Sequence, residues 1–269
     1  MTRKKALRYL KLTLLTYALI GIFIYFSQDY IILRPAKLPP DYKFKFDFPF
    51  RELNIPYDAN TNINIIQFSV PDSVPRGVVL YFHGNRANVS RYRRFAPYFT
   101  AAGYEVWMID YPGYGKSTGV FSEKLVYEWA GVMYKLARAR FQPNQIIIYG
   151  KSLGTGIAAQ LASVRNCQYL ILETPYYSMP EVIGFYAPIY PTDRLIRHQF
   201  PTYTYLPRVA DPVIIMHGTN DWVVRYKNSV KLSQFLKKTD KLVTVQGGTH
   251  NNLYRFPQIP QLIDSLLKR

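Results

Sequence analysis

Five cations, Arg3, Lys4, Lys5, Arg8 and Lys11, stand ahead of an uncharged stretch from Leu12 to Phe26. Apolar character resumes at Tyr30 to Leu33, after Ser27, Gln28 and Asp29. The stretch is apolar on all faces, which disfavours packing as an ordinary soluble helix. A helix from Leu12 to Leu33 is long enough to cross a bilayer, which takes about 20 residues at about 1.5 Å each, with Asp29 at the far headgroup level. A signal peptide competes, because its apolar core is typically ~7–15 residues. Its cleavage wants small residues just before the cut, and Tyr25, Phe26 and Gln28 spoil the obvious windows. Residues 1–33 therefore read as an uncleaved membrane anchor. The preceding cations would keep the N-terminus cytoplasmic and the rest of the chain extracytoplasmic. Arg34, Lys37, Lys43 and Lys45 follow the segment and weaken that orientation. Pro35, Pro39 and Pro40 then mark 34–49 as a short, stiff linker.

From residue 50 onward, short apolar runs alternate with longer amphipathic ones. Strands are predicted at 52–57, 63–70, 78–82, 104–109, 145–149, 169–172, 213–216 and 242–245. Helices are predicted at 90–102, where Pro97 shapes or kinks the element, and at 122–141, capped by Ser122. Further helices are predicted at 153–164, 227–237 and 256–268. Strands alternating with helices imply an α/β fold, a mostly parallel central sheet with helices on both faces, over 50–269. Residues 174–212 break the rhythm. Proline recurs there at 175, 180, 188, 191, 201 and 207 and blocks long regular elements. This stretch reads as an irregular insertion over the sheet's edge that shapes the active site.

Composition sharpens the picture in two places. The 269 residues are 48% hydrophobic and 19% charged, which excludes a wholly disordered chain. A single cysteine, Cys167, excludes an internal disulfide and a Cys-rich zinc site. The net charge of +17 suits an anionic partner, nucleic acid or membrane. Residues 1–45 hold nine Lys/Arg against Asp29 and Asp41, nine minus two, a net of +7 around the apolar segment. That placement favours the membrane. No basic-aromatic run resembles a nucleic-acid signature, so no nucleic-acid partner is expected.

The chemistry sits at strand ends. Gly150-Lys151-Ser152-Leu153-Gly154 follows a predicted strand and opens a predicted helix, the context a nucleophile elbow needs. Gly-Lys-Ser occurs at 115–117 as well, which raises a phosphate-loop reading. Such a loop needs glycine five residues before the Gly of Gly-Lys, and Asp110 and Gln145 stand there. A serine nucleophile needs a base, usually histidine. Chain order in this fold class is Ser, then Asp or Glu, then His. His250 follows the last strand and precedes the final helix. Asp221 follows the 213–216 strand and fits the orienting acid, with Glu173 as its rival. His217 reads as a structural histidine, and His198 as a solvent-facing residue of the insertion. His83-Gly84-Asn85 follows the 78–82 strand, so the amides of Asn85 and Leu153 are candidates for an oxyanion hole. Tyr111, Tyr114, Tyr176 and Tyr177 are candidate substrate-binding walls, with ordinary packing as the alternative.

These motifs, with Asp110 to Ser117, His217-Gly218-Thr219-Asn220-Asp221 and Gly248-Thr249-His250, make the chain resemble the α/β-hydrolase superfamily. More narrowly, it resembles the membrane-anchored, capless abhydrolase-domain serine hydrolases with an His-Gly-Asn loop. The resemblance covers roughly 50–269 and implies hydrolysis of carboxylic esters or thioesters, with fatty-acyl substrates suggested by the aromatic residues. Ser152, Asp221 and His250 would be catalytic, through an acyl-serine intermediate, with no metal or organic cofactor. The elbow's Lys151 is unusual for the group and leaves substrate preference open. A peptidase or amidase with the same triad, and a non-catalytic membrane-tethered binding module, are the alternatives.

Overall fold

The computed structural model describes residues 2–70 and 74–268. One sheet contains β1 (Phe50–Pro56), β2 (Asn62–Phe68), β3 (Gly77–Phe82), β4 (Tyr104–Ile109), β5 (Ile146–Lys151), β6 (Tyr169–Glu173), β7 (Val213–Gly218) and β8 (Lys241–Val245). The spatial order is β8-β7-β6-β5-β3-β4-β2-β1. β1 and β2 pair antiparallel, as do β2 and β4. The remaining neighbours are parallel. The longer helices are α1 (Arg3–Ile32), α2 (Glu123–Arg138), α3 (Leu153–Ala162), α4 (Met179–Tyr186), α5 (Lys227–Ser233) and α6 (Gln258–Leu267). This is the α/β-hydrolase fold.

All residues of β3, β4, β5 and β7 are buried, as a parallel sheet covered on both faces requires. Alternation assigns the faces. Val78, Leu80 and Phe82 join one apolar layer with Trp129 and Met133 of α2 and Ile157 of α3. Val79 and Tyr81 join the other, with Ile259, Ile263 and Leu266 of α6. α2 begins where Ser122 Oγ accepts the Leu125 amide at 3.2 Å, and it buries positions 126, 129, 130, 133, 134 and 137, one helical face. The helix predicted over 90–102 is broken into Val89–Tyr92, a 3-10 turn and Pro97–Thr100. Proline has no N–H to continue a helix, so a new turn starts with Pro97 as its first residue.

Two segments differ from their predicted character. The 174–212 insertion is neither irregular throughout nor at the sheet's edge. It contains α4, capped by Ser178 Oγ on the Glu181 amide, and single turns at Thr192–Leu195 and Thr202–Tyr205. It joins β6 to β7, which are adjacent interior strands, and so lies over their C-terminal ends. Residues 34–49 are strapped to the domain instead of spacing it. Arg34–Pro35 pairs in parallel with Arg86–Ala87, and the Leu38 amide donates to the Gly115 carbonyl at 2.8 Å. Phe44, Phe46 and Phe48 form a stacked row that meets Phe68.

The second half of α1 packs on the insertion. The Tyr17 and Tyr190 rings stack 4.6 Å apart, and each hydroxyl donates to a carbonyl across the contact, Ile189 at 3.0 Å and Tyr17 at 3.1 Å. Gln28 is buried and its Oε1 accepts the Arg197 amide at 2.6 Å. Asp29 takes Arg197 Nη2 and His198 Nε2, each at 2.9 Å. His198 is therefore a buried partner of α1 and does not face solvent.

Candidate active site

β5 ends at Lys151 and α3 starts at Leu153, which leaves Ser152 alone in the turn. Its backbone has φ +50° and ψ −117°, a region L-residues avoid. Two bonds hold it there. The Ser152 amide donates to the Glu173 carbonyl at 2.9 Å, and the Thr155 amide donates to the Ser152 carbonyl at 2.9 Å. The flanking glycines are required by space. A Cβ on Gly154 would clash with the Phe82 carbonyl, and one on Gly150 would stand 2.5 Å from the Gly154 carbonyl. The strain thus presents the Ser152 hydroxyl at the C-terminal edge of the sheet.

His250 Nε2 lies 2.9 Å from Ser152 Oγ, and its Nδ1 lies 2.7 Å from Asp221 Oδ2. A carboxylate only accepts, so Nδ1 carries the proton and Nε2 is free to accept from the serine. Asp221 Oδ1 accepts the amides of Val223 and Val224 at 2.8 and 2.9 Å, which fixes the carboxylate plane. His217 Nε2 is 3.2 Å from Asp221 Oδ2, donates to the Val224 carbonyl at 2.9 Å, and its Nδ1 meets Ser229 Oγ at 2.6 Å. Burial alone pushes the Asp221 carboxyl up, but the hydrogen bonds from His217 and His250 outweigh it and hold the group well below the usual carboxylate range.

The His83-Gly84-Asn85 loop stands beside Ser152. A Cβ on Gly84 would be 3.6 Å from Ser152 Cβ. Among the described residues, neither the Asn85 nor the Leu153 amide makes a hydrogen bond, so both are open to a ligand. Tyr111 and Tyr114, candidates for substrate walls, instead hold this loop. Both are buried, Tyr111 donating to the His83 carbonyl at 2.7 Å and Tyr114 to the Asn85 carbonyl at 3.0 Å. Tyr177 stacks on Tyr203 and is outside the cleft. Of the four tyrosines, only Tyr176 lines it, with its hydroxyl on the Leu153 carbonyl at 2.9 Å.

Glu173 belongs to a different network. It is buried and paired with Lys151 Nζ, and Tyr149 donates to its Oε2 at 2.6 Å. Lys151 Nζ also donates to the His250 carbonyl at 3.3 Å. The lysine's charge is thus neutralised within the protein and supports the His250 loop from below. Replacing Glu173 with alanine strands a buried ammonium, and the expected loss is about 3–5 kcal/mol of stability. Urea unfolding of the Glu173→Ala variant measures it, and a loss under ~1 kcal/mol would contradict a buried ion pair.

The cleft over Ser152 holds about 380 Å³. Its apolar lining comes from α4, through Met179, Val182, Ile183 and Tyr186, and from Val223 and Val224. Ile31 and Ile32 at the end of α1 line it too, as do Arg34, Arg86 and Arg91. The sequence reading missed all of these. The α4 residues recur at i, i+3, i+4 and i+7, a helical signal hidden by the surrounding prolines. No periodicity links α1 to the cleft. A larger, more open cavity of about 750 Å³ lies past the Asp221 loop and does not touch Ser152. No cluster of side chains suited to a metal ion occurs among the described residues.

A hydrolase family described as serine aminopeptidase, S33, matches residues 73–205. The α/β hydrolase domain-containing protein 17C of Xenopus tropicalis is 30% identical over 188 residues, covering 68% of this chain and 59% of that protein. The human protein of the same name is 28% identical over 191 residues, covering 68% of this chain and 55% of that one. The chain spans little more than half the length of the curated relatives it matches. A Pyrococcus furiosus esterase superposes with a TM-score of 0.68 at 16% identity, covering 88% of this chain and 99% of that one. A cold-adapted esterase from an Arctic intertidal metagenomic library gives 0.64 at 18% identity, covering 84% and 96%. With this fold and these relatives, the chain belongs to the α/β-hydrolase superfamily.

Proposed function

We propose that the protein is a membrane-anchored esterase that cleaves fatty-acyl esters or thioesters through an acyl-serine intermediate. The observation that carries this reading is the Ser152–His250–Asp221 chain of hydrogen bonds opening into a cleft with an apolar wall. Ser152 Oγ attacks the acyl carbonyl while His250 Nε2 takes its proton. The amides of Asn85 and Leu153 hold the oxyanion. The protonated His250 then gives its proton to the leaving alcohol or thiol. Water, activated by the same imidazole, releases the acid and restores Ser152.

The anchor is α1, 30 residues and about 45 Å long. It has basic residues at its start and an exposed apolar surface, and its N-terminus would be cytoplasmic. The insertion tip from Gly184 to Pro191 carries no charge. It lies along α1 as far as Tyr17, with Phe185 at 50% and Ile189 at 71% exposure. Such a tip is suited to lipid, and it would turn the cleft mouth toward the bilayer. An aminopeptidase would need a carboxylate for the substrate's ammonium, and no Asp or Glu is among the cleft-lining residues.

Hydrolysis of p-nitrophenyl esters from acetyl to palmitoyl by the detergent-solubilised chain tests the reading. Each buried methylene contributes about 0.8 kcal/mol, so kcat/KM is expected to rise about fourfold per added carbon until the wall is covered. A profile that falls with chain length, or turnover of aminoacyl anilides alone, would reject it.

A further inference from the structure

We infer that Arg34, Arg86 and Arg91 form a subsite for a phosphate carried by the substrate, so that the enzyme acts on phosphate-bearing acyl esters or thioesters. The inference rests on the esterase reading above and names its substrate class.

The three arginines line the same cleft as Ser152 and His250. They come from two places far apart in the chain. Arg34 lies two residues beyond α1, while Arg86 directly follows the oxyanion-loop residue Asn85. The parallel ribbon sets Arg34 in register with Arg86, fixed by the Arg34 amide on the Asn85 carbonyl at 3.0 Å and the Ala36 amide on the Ala87 carbonyl at 3.0 Å. Arg91 sits in the short helix that follows.

Like charges placed side by side on paired strands are destabilising. Among the described residues, none of the three arginines has a carboxylate within 4.0 Å. Some cations elsewhere are paired, as in Arg140 with Glu105, Arg197 with Asp29 and Lys116 with Glu52. Among the described residues, many cations elsewhere on the surface are unpaired as well, but these three line the cleft where substrate must pass. A guanidinium fork matches phosphate oxygens, and a multiply charged phosphate can be shared between neighbouring forks. The apolar α4 wall takes the acyl chain, and the cations beside Asn85 take the anionic end. Arg34, just past the apolar end of α1, would stand at the level of lipid headgroups.

The full chain carrying Ser152→Ala, in dodecyl maltoside, binds lipid without turnover and separates this inference from the catalytic one. Lysophosphatidylglycerol is expected to bind at least tenfold more tightly than monoacylglycerol of the same chain length, with the advantage shrinking as salt rises. Arg86→Gln is expected to cut that ratio roughly tenfold, the scale of one charge-assisted hydrogen bond, and the triple Arg→Gln variant to bring it near one. Equal binding of the two lipids, or a ratio unmoved in a triple variant that keeps its thermal melt, overturns the subsite. Glycerol phosphate binding as tightly as the lysolipid overturns the acyl-bearing class. Palmitoyl coenzyme A binding on the same arginines, with lysolipid ignored, would assign the phosphate to a thioester carrier instead of a lipid headgroup. A wild type that hydrolyses none of these, while Ser152→Ala keeps the binding ratio, would reject the esterase reading and leave the subsite standing.

Discussion

Ser152→Ala is expected to abolish fluorophosphonate labelling and to lower kcat on a long-chain ester roughly a millionfold, the scale at which a lone triad serine is lost. What survives comes from the oxyanion amides and the cleft. The substitution removes one oxygen from a site whose backbone is held independently by the Glu173 carbonyl and by Thr155. The melting temperature should accordingly stay within a few degrees of wild type. Labelling of the alanine variant equal to wild type would mean that another residue is the nucleophile.

Asp221→Asn is expected to cost roughly 10⁴-fold in kcat with the fold intact. An amide at this position can turn its NH₂ toward His250 Nδ1. That favours the tautomer with the proton on Nε2, which can no longer accept from Ser152. Stability should follow pH in a definite direction. The folded-state pKa of Asp221 is depressed, so its contribution is complete above the unfolded carboxylate value near 4 and is lost as pH falls toward the lower folded value. The gap in urea midpoint between wild type and Asp221→Asn should therefore be constant from about pH 5 upward and narrow below about pH 4. A gap that widens on acidification would show that the carboxylate is not the stabilised form.

The sheet and the three residues of the hydrogen-bonded chain were readable in sequence for a physical reason. Buried parallel strands are short apolar runs, and reactive side chains must stand where those runs stop. Ser152 between two glycines, Asp221 after β7 and His250 after β8 each follow a run that cannot be mistaken. The walls were harder. Tyr111 and Tyr114 are as aromatic as any pocket residue, and only their hydrogen bonds to the His83 and Asn85 carbonyls reveal that they brace a loop. His198 looked solvent-facing because its partner, Asp29, is 169 residues away. The Arg34–Arg86 pairing has the same character. It is long-range and joins two unremarkable stretches, so no local pattern announces it.

Ile31 and Ile32 connect α1 to the cleft over Ser152. With α1 held in a bilayer, the cleft has a fixed height and tilt above the lipid, secured by Tyr17 on Tyr190 and by Asp29 on Arg197 and His198. Such an enzyme would meet its substrate by two-dimensional diffusion. Its rate would follow the mole fraction of substrate within the membrane and not the bulk concentration. Diluting the lipid with inert detergent would then slow it while the total substrate stayed constant. A version cut free after residue 33 would be a different catalyst, lacking part of its own wall.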